Sequence, residues 1–263
     1  MSMTARTSQE VVRIADGVSI PLIGFGTWEL SRDDAYTGVR AALDIGYRHI
    51  DTATAYENED RVGAAVRDSG LDREDVFITT KCPPGNAGRE VQTIDGSLKA
   101  LGVDFVDLWL VHWPPNRQAS PDTWKAFIEA LEQGKTRSIG VSNYSIAQID
   151  ELIAATGRAP ALNQIPWNPF VFNEREVTEL RSRQVVLEGY SPLKRSDLSN
   201  PVLAEIAAAH GKTAAQVVLR WHVEHGFVVL PRSQRRERIE ENFDIFDFQL
   251  APEELGRLDA LGA

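Results

Sequence analysis

Residues 105–112 read Phe-Val-Asp-Leu-Trp-Leu-Val-His, a nearly unbroken apolar run that stops at a histidine. Such a run suits a strand covered on both faces, as in a parallel sheet, better than the alternation of a half-exposed strand. The device recurs along the chain. Arg48-His49-Ile50 leads into Asp51, Val76 to Thr80 into Lys81, Ser138 to Val141 into Ser142, and Ala161 to Asn163 into Gln164. Val185 to Gly189 leads into Tyr190, Phe227 to Leu230 leads into Pro231 and Arg232, and Leu22-Ile23-Gly24 supplies a shorter first candidate.

Helix punctuation fills the intervals. Ser31 with Asp34 has capping-box spacing, and Ala35, Val39, Ala42 and Leu43 follow on one face before Gly46. Ser120-Pro121 places a cap before a first-turn proline, and Gly134 closes that segment after the stripe Trp124, Ile128 and Leu131. Ser145 with Gln148 and Thr213 with Gln216 repeat the capping spacing, and Gly211 divides 203–210 from 214–225. Alternating β and α units imply parallel strands with right-handed crossovers. Eight such units predict a single (β/α)8 barrel (TIM barrel) domain over 1–263, with an open doubly wound sheet as the rival. Ahead of it, Val11 to Ile14, Asp16-Gly17 and Val18 to Ile20 read as a β-hairpin capping the barrel bottom.

Composition bounds the function. A formal net charge of -10 argues against a phosphate backbone as partner. One cysteine, Cys82, cannot form an intrachain disulfide or a cysteine-based metal site, which points to a reducing compartment. The N-terminal Met-Ser-Met-Thr-Ala-Arg-Thr-Ser-Gln-Glu has no apolar core for an export signal, and no run approaches the roughly 20 apolar residues of a membrane span. A soluble cytoplasmic protein, a monomer with no membrane or nucleic-acid partner, is the expectation.

The strand ends carry the chemistry. Asp51, Lys81, His112, Ser142, Asn143, Gln164, Tyr190 and Arg232 each follow an apolar run, and in a parallel barrel those ends share one face. Lys81 inside a barrel needs a partner, which Asp51 can be, and Tyr56 lies little more than a helical turn beyond Asp51. A phenol titrates near about 10, so a neighbouring ammonium is expected to lower its pKa toward useful proton donation. His112 adds a neutral donor. A carbonyl receiving hydride at carbon develops charge on oxygen and needs such a donor there. Singly, each residue has a plainer explanation: Asp51 as a helix cap, Tyr56 as packing, Lys81 as a surface lysine, His112 as a core histidine. The combination favours catalysis. Trp28 and Trp113 would line the mouth as an apolar substrate pocket.

At these residues the chain resembles the aldo-keto reductase family. The resemblance is carried by Gly46-Tyr47-Arg48-His49-Ile50-Asp51-Thr52-Ala53 with Tyr56, Thr79-Thr80-Lys81, and Asp107-Leu108-Trp109-Leu110-Val111-His112-Trp113-Pro114. It continues through Gly140-Val141-Ser142-Asn143, Asn163-Gln164, Tyr190-Ser191-Pro192-Leu193 and Pro231-Arg232-Ser233, with Arg238-Ile239 and Glu241-Asn242. It spans about 17–250 and is most similar to bacterial 2,5-diketo-D-gluconate reductase-type enzymes. The resemblance implies NADPH-dependent reduction of aldehydes or ketones, including diketo sugars and small dicarbonyls. Tyr56 would be the general acid, Asp51 and Lys81 its tuning pair, and His112 the residue that orients the carbonyl. Ser142, Asn143 and Gln164 would hold the nicotinamide carboxamide, Tyr190 would stack on its ring, and Ser191 and Leu193 would meet the pyrophosphate. Arg232, Ser233 and Arg238 would bind the 2′-phosphate of NADPH/NADP+, with Glu241 and Asn242 near the adenine.

Some positions depart from the family pattern: Pro166-Trp167-Asn168-Pro169, Cys82 after Lys81, and a short loop from Lys194 to Asn200. The chain stops at Ala263 without the tail that closes the pocket in many members, so an open pocket and broad specificity are expected. Gly24-Phe25-Gly26 continues as Thr27-Trp28 without a third glycine, which disfavours a Rossmann-type site. Two other functions stay in view. One is a metal-dependent barrel hydrolase, for which His222 and His225 lie on a predicted outer helix without an HExxH motif, so no metal is expected. The other is an NADPH-binding redox-sensing module with little turnover.

Overall fold

The computed structural model describes residues 10–262. Residues 1–9, on which the expectation of no export signal rests, lie outside the described residues. A hairpin comes first: β1 (Val11–Ala15) pairs antiparallel with β2 (Val18–Pro21), turning at Gly17 with φ 72°. Eight parallel strands follow, neighbouring one another in chain order: β3 (Phe25–Gly26), β4 (His49–Asp51), β5 (Phe77–Cys82), β6 (Leu108–Val111), β7 (Ile139–Ser142), β8 (Leu162–Pro166), β9 (Val186–Tyr190) and β10 (Val228–Leu230).

The first and last strands meet. Ile23 forms a parallel bridge with Val229, Gly24 N donates to Val229 O at 2.9 Å, and Gly26 N donates to Pro231 O at 3.1 Å. These bonds close the sheet into a (β/α)8 barrel, whereas an open doubly wound sheet would leave two free edges. The first strand is shifted from the predicted Leu22–Gly24. Leu22 to Gly24 serves the junction with β10, while Phe25 and Gly26 pair with Ile50 and Asp51. The hairpin runs into that junction, so it lies at the N-terminal end of the barrel, with Ile14 and Ile20 buried.

The helices are α1 (Arg32–Ile45), α2 (Glu59–Arg67), α3 (Glu90–Leu101), α4 (Pro121–Glu132), α5 (Ile146–Thr156), α6 (Glu174–Ser182), α7 (Pro201–His210), α8 (Ala214–Glu224), α9 (Arg236–Phe243) and α10 (Pro252–Asp259). The capping boxes at Ser145 and Thr213 are complete in both directions. Ser31 caps α1 through Asp34 N, but its hydroxyl turns to the Asp34 carboxylate. Ser120 does not cap α4. It sits at φ 58° and its hydroxyl reaches back to Pro115 O, while Pro121 starts the helix with no N–H to satisfy.

One boundary matters for chemistry. Asp51, Lys81, Ser142, Gln164 and Tyr190 lie within the last residues of their strands, not beyond them. The ladder continues through them because parallel pairing uses backbone atoms alone, and polar side chains are thereby drawn into the barrel mouth. The departures at 166–169 are structural: Trp167 is buried against Phe172 and Phe227, and Asn168 Oδ1 accepts from Phe170 N.

Candidate active site

Lys81 and Asp51 come from β5 and β4, adjacent strands whose register pairs Asp51 with Thr79. The Lys81 side chain is fully buried and its ammonium donates to Asp51 Oδ1 at 2.6 Å, Thr52 O at 2.9 Å and Tyr56 Oη at 3.3 Å. Three donors thus find three acceptors, which a buried ammonium requires. Tyr56 closes a 3-10 turn at 54–56 that follows β4 by two residues, and Thr54 Oγ1 ties that turn to Lys81 O at 3.0 Å. The His112 ring meets Tyr56 edge-on with centroids 5.6 Å apart. The four residues therefore share one site.

Electrostatics corrects one expectation. Burial raises the Tyr56 pKa above the usual phenol value, and the Lys81 ammonium opposes that rise without reversing it. For Lys81, burial favours the neutral amine, but the Asp51 carboxylate and Tyr56 outweigh it and its pKa is raised. Burial, reinforced by Lys81, lowers His112 to about 3, so its ring is neutral. The site therefore holds a protonated phenol, an ammonium and a neutral imidazole at neutral pH.

Asp51 is also held from behind. Gln164 Nε2 donates to Asp51 Oδ2 at 2.9 Å and to Glu188 Oε2 at 2.8 Å. Ser142 Oγ donates to Gln164 O, Asn143 Nδ2 donates to His112 O and Ser142 Oγ, and Tyr190 Oη donates to Asn143 Oδ1 at 2.9 Å. Asn143 and Ser191, each directly after a strand, have φ of 63° and 53°. Non-glycine residues seldom occupy that region, and such strain concentrates at functional rims.

A cavity of about 630 Å³ opens above this layer. Trp28, Asp51, Tyr56, His112, Trp113, Ser142, Asn143, Gln164, Tyr190, Ser191, Leu193 and Arg232 line it, with Lys81 just beneath. Trp28 and Trp113 are 43% and 48% exposed, which makes the mouth apolar and open. Glu29, after β3, pairs with Lys194 at 3.2 Å and Arg232 at 3.1 Å. Ser233, Arg238, Glu241 and Asn242 are not brought to the cavity. Arg238 pairs with Glu241 at 2.6 Å on α9, Glu241 also accepts from Thr213, Ser233 Oγ accepts from Arg235 N, and Asn242 is buried.

The sequence reading missed Glu188, Glu29, Lys194 and Arg195 as neighbours of the site. A lone carboxylate inside the apolar run 185–189 was the available signal for Glu188. The loop residues carried none. Among the described residues no cluster of His, Cys, Asp and Glu is arranged to hold a metal ion, and no helix is long and apolar enough to cross a membrane.

Comparison with known proteins agrees with this geometry. A model of the aldo/keto reductase family matches residues 22–263. The chain is 38% identical to methylglyoxal reductase DkgA of Escherichia coli over 95% of its length and 93% of the relative's. It is 39% identical to morphine 6-dehydrogenase of Pseudomonas putida, over 95% of this chain and 90% of that one. The crystal structure of an aldo/keto reductase from Brucella melitensis superposes with a TM-score of 0.91 at 42% identity, covering 96% of this chain and 99% of that one.

Proposed function

Because the chain belongs to the aldo/keto reductase family, we propose that it reduces small aldehydes and ketones to alcohols with NADPH, using Tyr56 as the proton donor. The observation that carries this reading is the Lys81 ammonium, bonded to both Asp51 and Tyr56 at the floor of an apolar-mouthed cavity.

The residues fit a dinucleotide. Gln164 uses its Nε2 on two carboxyls, and no donor among the described residues engages its Oε1, which leaves an acceptor for a carboxamide N–H at the cavity wall. Ser142 and Asn143 flank it, Tyr190 offers a ring, and Ser191 and Leu193 lie farther along the groove. Arg232 and Arg238 carry guanidinium groups suited to a phosphate, which favours NADPH over NADH. Glu241 and Asn242, on the same helix as Arg238, would lie by the adenine.

NADPH, when bound, supplies the hydride. The chain's residues do the rest. Trp28 and Trp113 take the apolar part of the substrate and shed water from it. His112, neutral, donates to the carbonyl oxygen and orients it. Tyr56 passes its proton to that oxygen as negative charge develops there. Lys81 stabilises the phenolate left behind, and Asp51 keeps Lys81 charged and aimed. The open mouth suits small dicarbonyls and diketo sugars alike.

The test is to follow NADPH consumption against a panel of aldehydes, ketones and diketo sugars, with NADH alongside. Sustained turnover over several compounds supports the reading. One cofactor oxidation per chain followed by silence would assign a redox-sensing module instead.

A further inference from the structure

Glu188 is a fully buried carboxyl that the proposed proton transfer does not use. It lies on β9 in register with Gln164 of β8 and Val228 of β10. Its Oε2 accepts from Gln164 Nε2 at 2.8 Å, and the same nitrogen donates to Asp51 Oδ2 at 2.9 Å. A primary amide nitrogen has two protons, and both are taken here. Turning the amide over would withdraw both N–H donors from Asp51 and Glu188 and set its carbonyl oxygen against the Asp51 carboxylate, so one orientation is favoured. Oε1 is left for the cavity.

The groups around Glu188 fit this role. β4 presents Asp51 and His49, whose Nε2 lies 3.9 Å from Glu188 Oε1, and β5 presents Lys81. The barrel strands β3, β6, β7 and β10 contribute no titratable residue. Glu188 Oε1 has no hydrogen-bond partner, a cost that calls for a reason to keep the carboxyl there. Burial and the Asp51 charge push Glu188 up to about 8, so the Glu188 carboxyl is mostly protonated near neutrality and accepts from Gln164 through its carbonyl oxygen.

We propose that Glu188 is a positioning residue that locks the Gln164 amide with its oxygen toward the cavity, as the acceptor for the carboxamide N–H of a nicotinamide. This inference rests on the cofactor reading above. In that state Glu188 selects for a ligand amide rather than contributing to the chemical step.

The test measures dissociation constants by fluorescence quenching for two probes. One is NADPH, and the other is its analogue with an acetyl group in place of the carboxamide. Glu188→Gln keeps an acceptor for Gln164 Nε2 and should bind NADPH within about twofold of the wild type. Glu188→Met removes the acceptor and should weaken NADPH about tenfold, the scale of one lost hydrogen bond, while leaving the analogue within about twofold. Glu188→Thr, too short to reach Gln164 and well suited to a strand, should show the same selective loss if the Met variant does not fold. Equal losses on both probes, or unchanged binding in both variants, would overturn the positioning role alone. A wild-type chain that binds neither probe would overturn the cofactor reading with it.

Discussion

Lys81 Nζ donates to Tyr56 Oη at 3.3 Å, yet both groups keep their protons at neutral pH. The phenol is held protonated by burial, and the ammonium by Asp51. The contact therefore does not prepare a phenolate in the resting site. In the proposed reaction it would prepare the site for one, because the cation is already in place for the moment the proton leaves, with no reorganisation needed.

Replacement of Lys81 by Met should leave the Asp51 carboxylate buried without its cation. Breaking a buried pair on one side costs about 3–5 kcal/mol. Urea unfolding should show that loss together with near-complete loss of turnover. A variant as stable as the wild type would mean that the pair is not the electrostatic centre of the site.

On acid unfolding, protons are taken up by the buried imidazoles. Burial lowers His49 and His112 to about 3 and His222 to about 4, all below the unfolded value. Their contribution is present above about pH 6.5 and is lost as pH falls through the folded values. Glu188, raised to about 8, acts in the opposite sense: its contribution is present at low pH and is lost as pH rises through 8. Glu59 and Glu176, also raised by burial, act as Glu188 does, so the imidazoles stand unopposed only below about pH 4.5, where those carboxyls are protonated in both states, and the thermal midpoint should fall on acidification there. A midpoint that stayed level or rose would contradict the neutral imidazoles. Glu188→Gln should remove the decline that the wild type shows as pH rises from about 6.5 to 8.

Cofactor choice should depend on Arg232, which lines the groove and in the free chain pairs with Glu29. Arg232→Ala is expected to raise KM for NADPH about tenfold or more and to leave KM for NADH nearly unchanged, a charge-assisted phosphate contact being worth about 1.5–3 kcal/mol. Equal changes for both cofactors would place the 2′-phosphate elsewhere.

Away from the site, Gly63 on α2 sets the approach of α3. A Cβ there would stand 1.9 Å from Leu101 O, a backbone atom that cannot swing aside. Gly63→Ala should therefore cost about 2–3 kcal/mol in urea unfolding, the range of overpacked interiors, with the KM of the folded fraction intact. Unchanged stability would show that the two helices can separate freely.

Much of this was legible in the sequence because the barrel's logic is local. A strand buried on both faces reads as a largely apolar run, and the polar residue that ends it marks the mouth, as at Lys81, His112 and Gln164. What was not legible depended on packing. The Tyr56 proton was expected to be loosened by Lys81, but the weight of burial against one ammonium is not written in residue spacing. Glu188 sits inside an apolar run where a single carboxylate reads as incidental, and only closure of the barrel brings it to Gln164. Glu29 meets Lys194 and Arg232 across 165 and 203 positions of chain. Ser120 has the right residue type for a cap, but the preceding loop holds it at a positive φ that turns its hydroxyl away.

The most direct test of the account is Tyr56→Phe, assayed for NADPH turnover with a reactive dicarbonyl such as methylglyoxal and for NADPH binding by fluorescence quenching. Loss of the phenolic proton should lower kcat by at least about 10²–10⁴-fold, the usual contribution of a general acid, while the dissociation constant for NADPH stays within about twofold. A variant that binds NADPH normally and still turns over at close to the wild-type rate would show that the proton comes from another group.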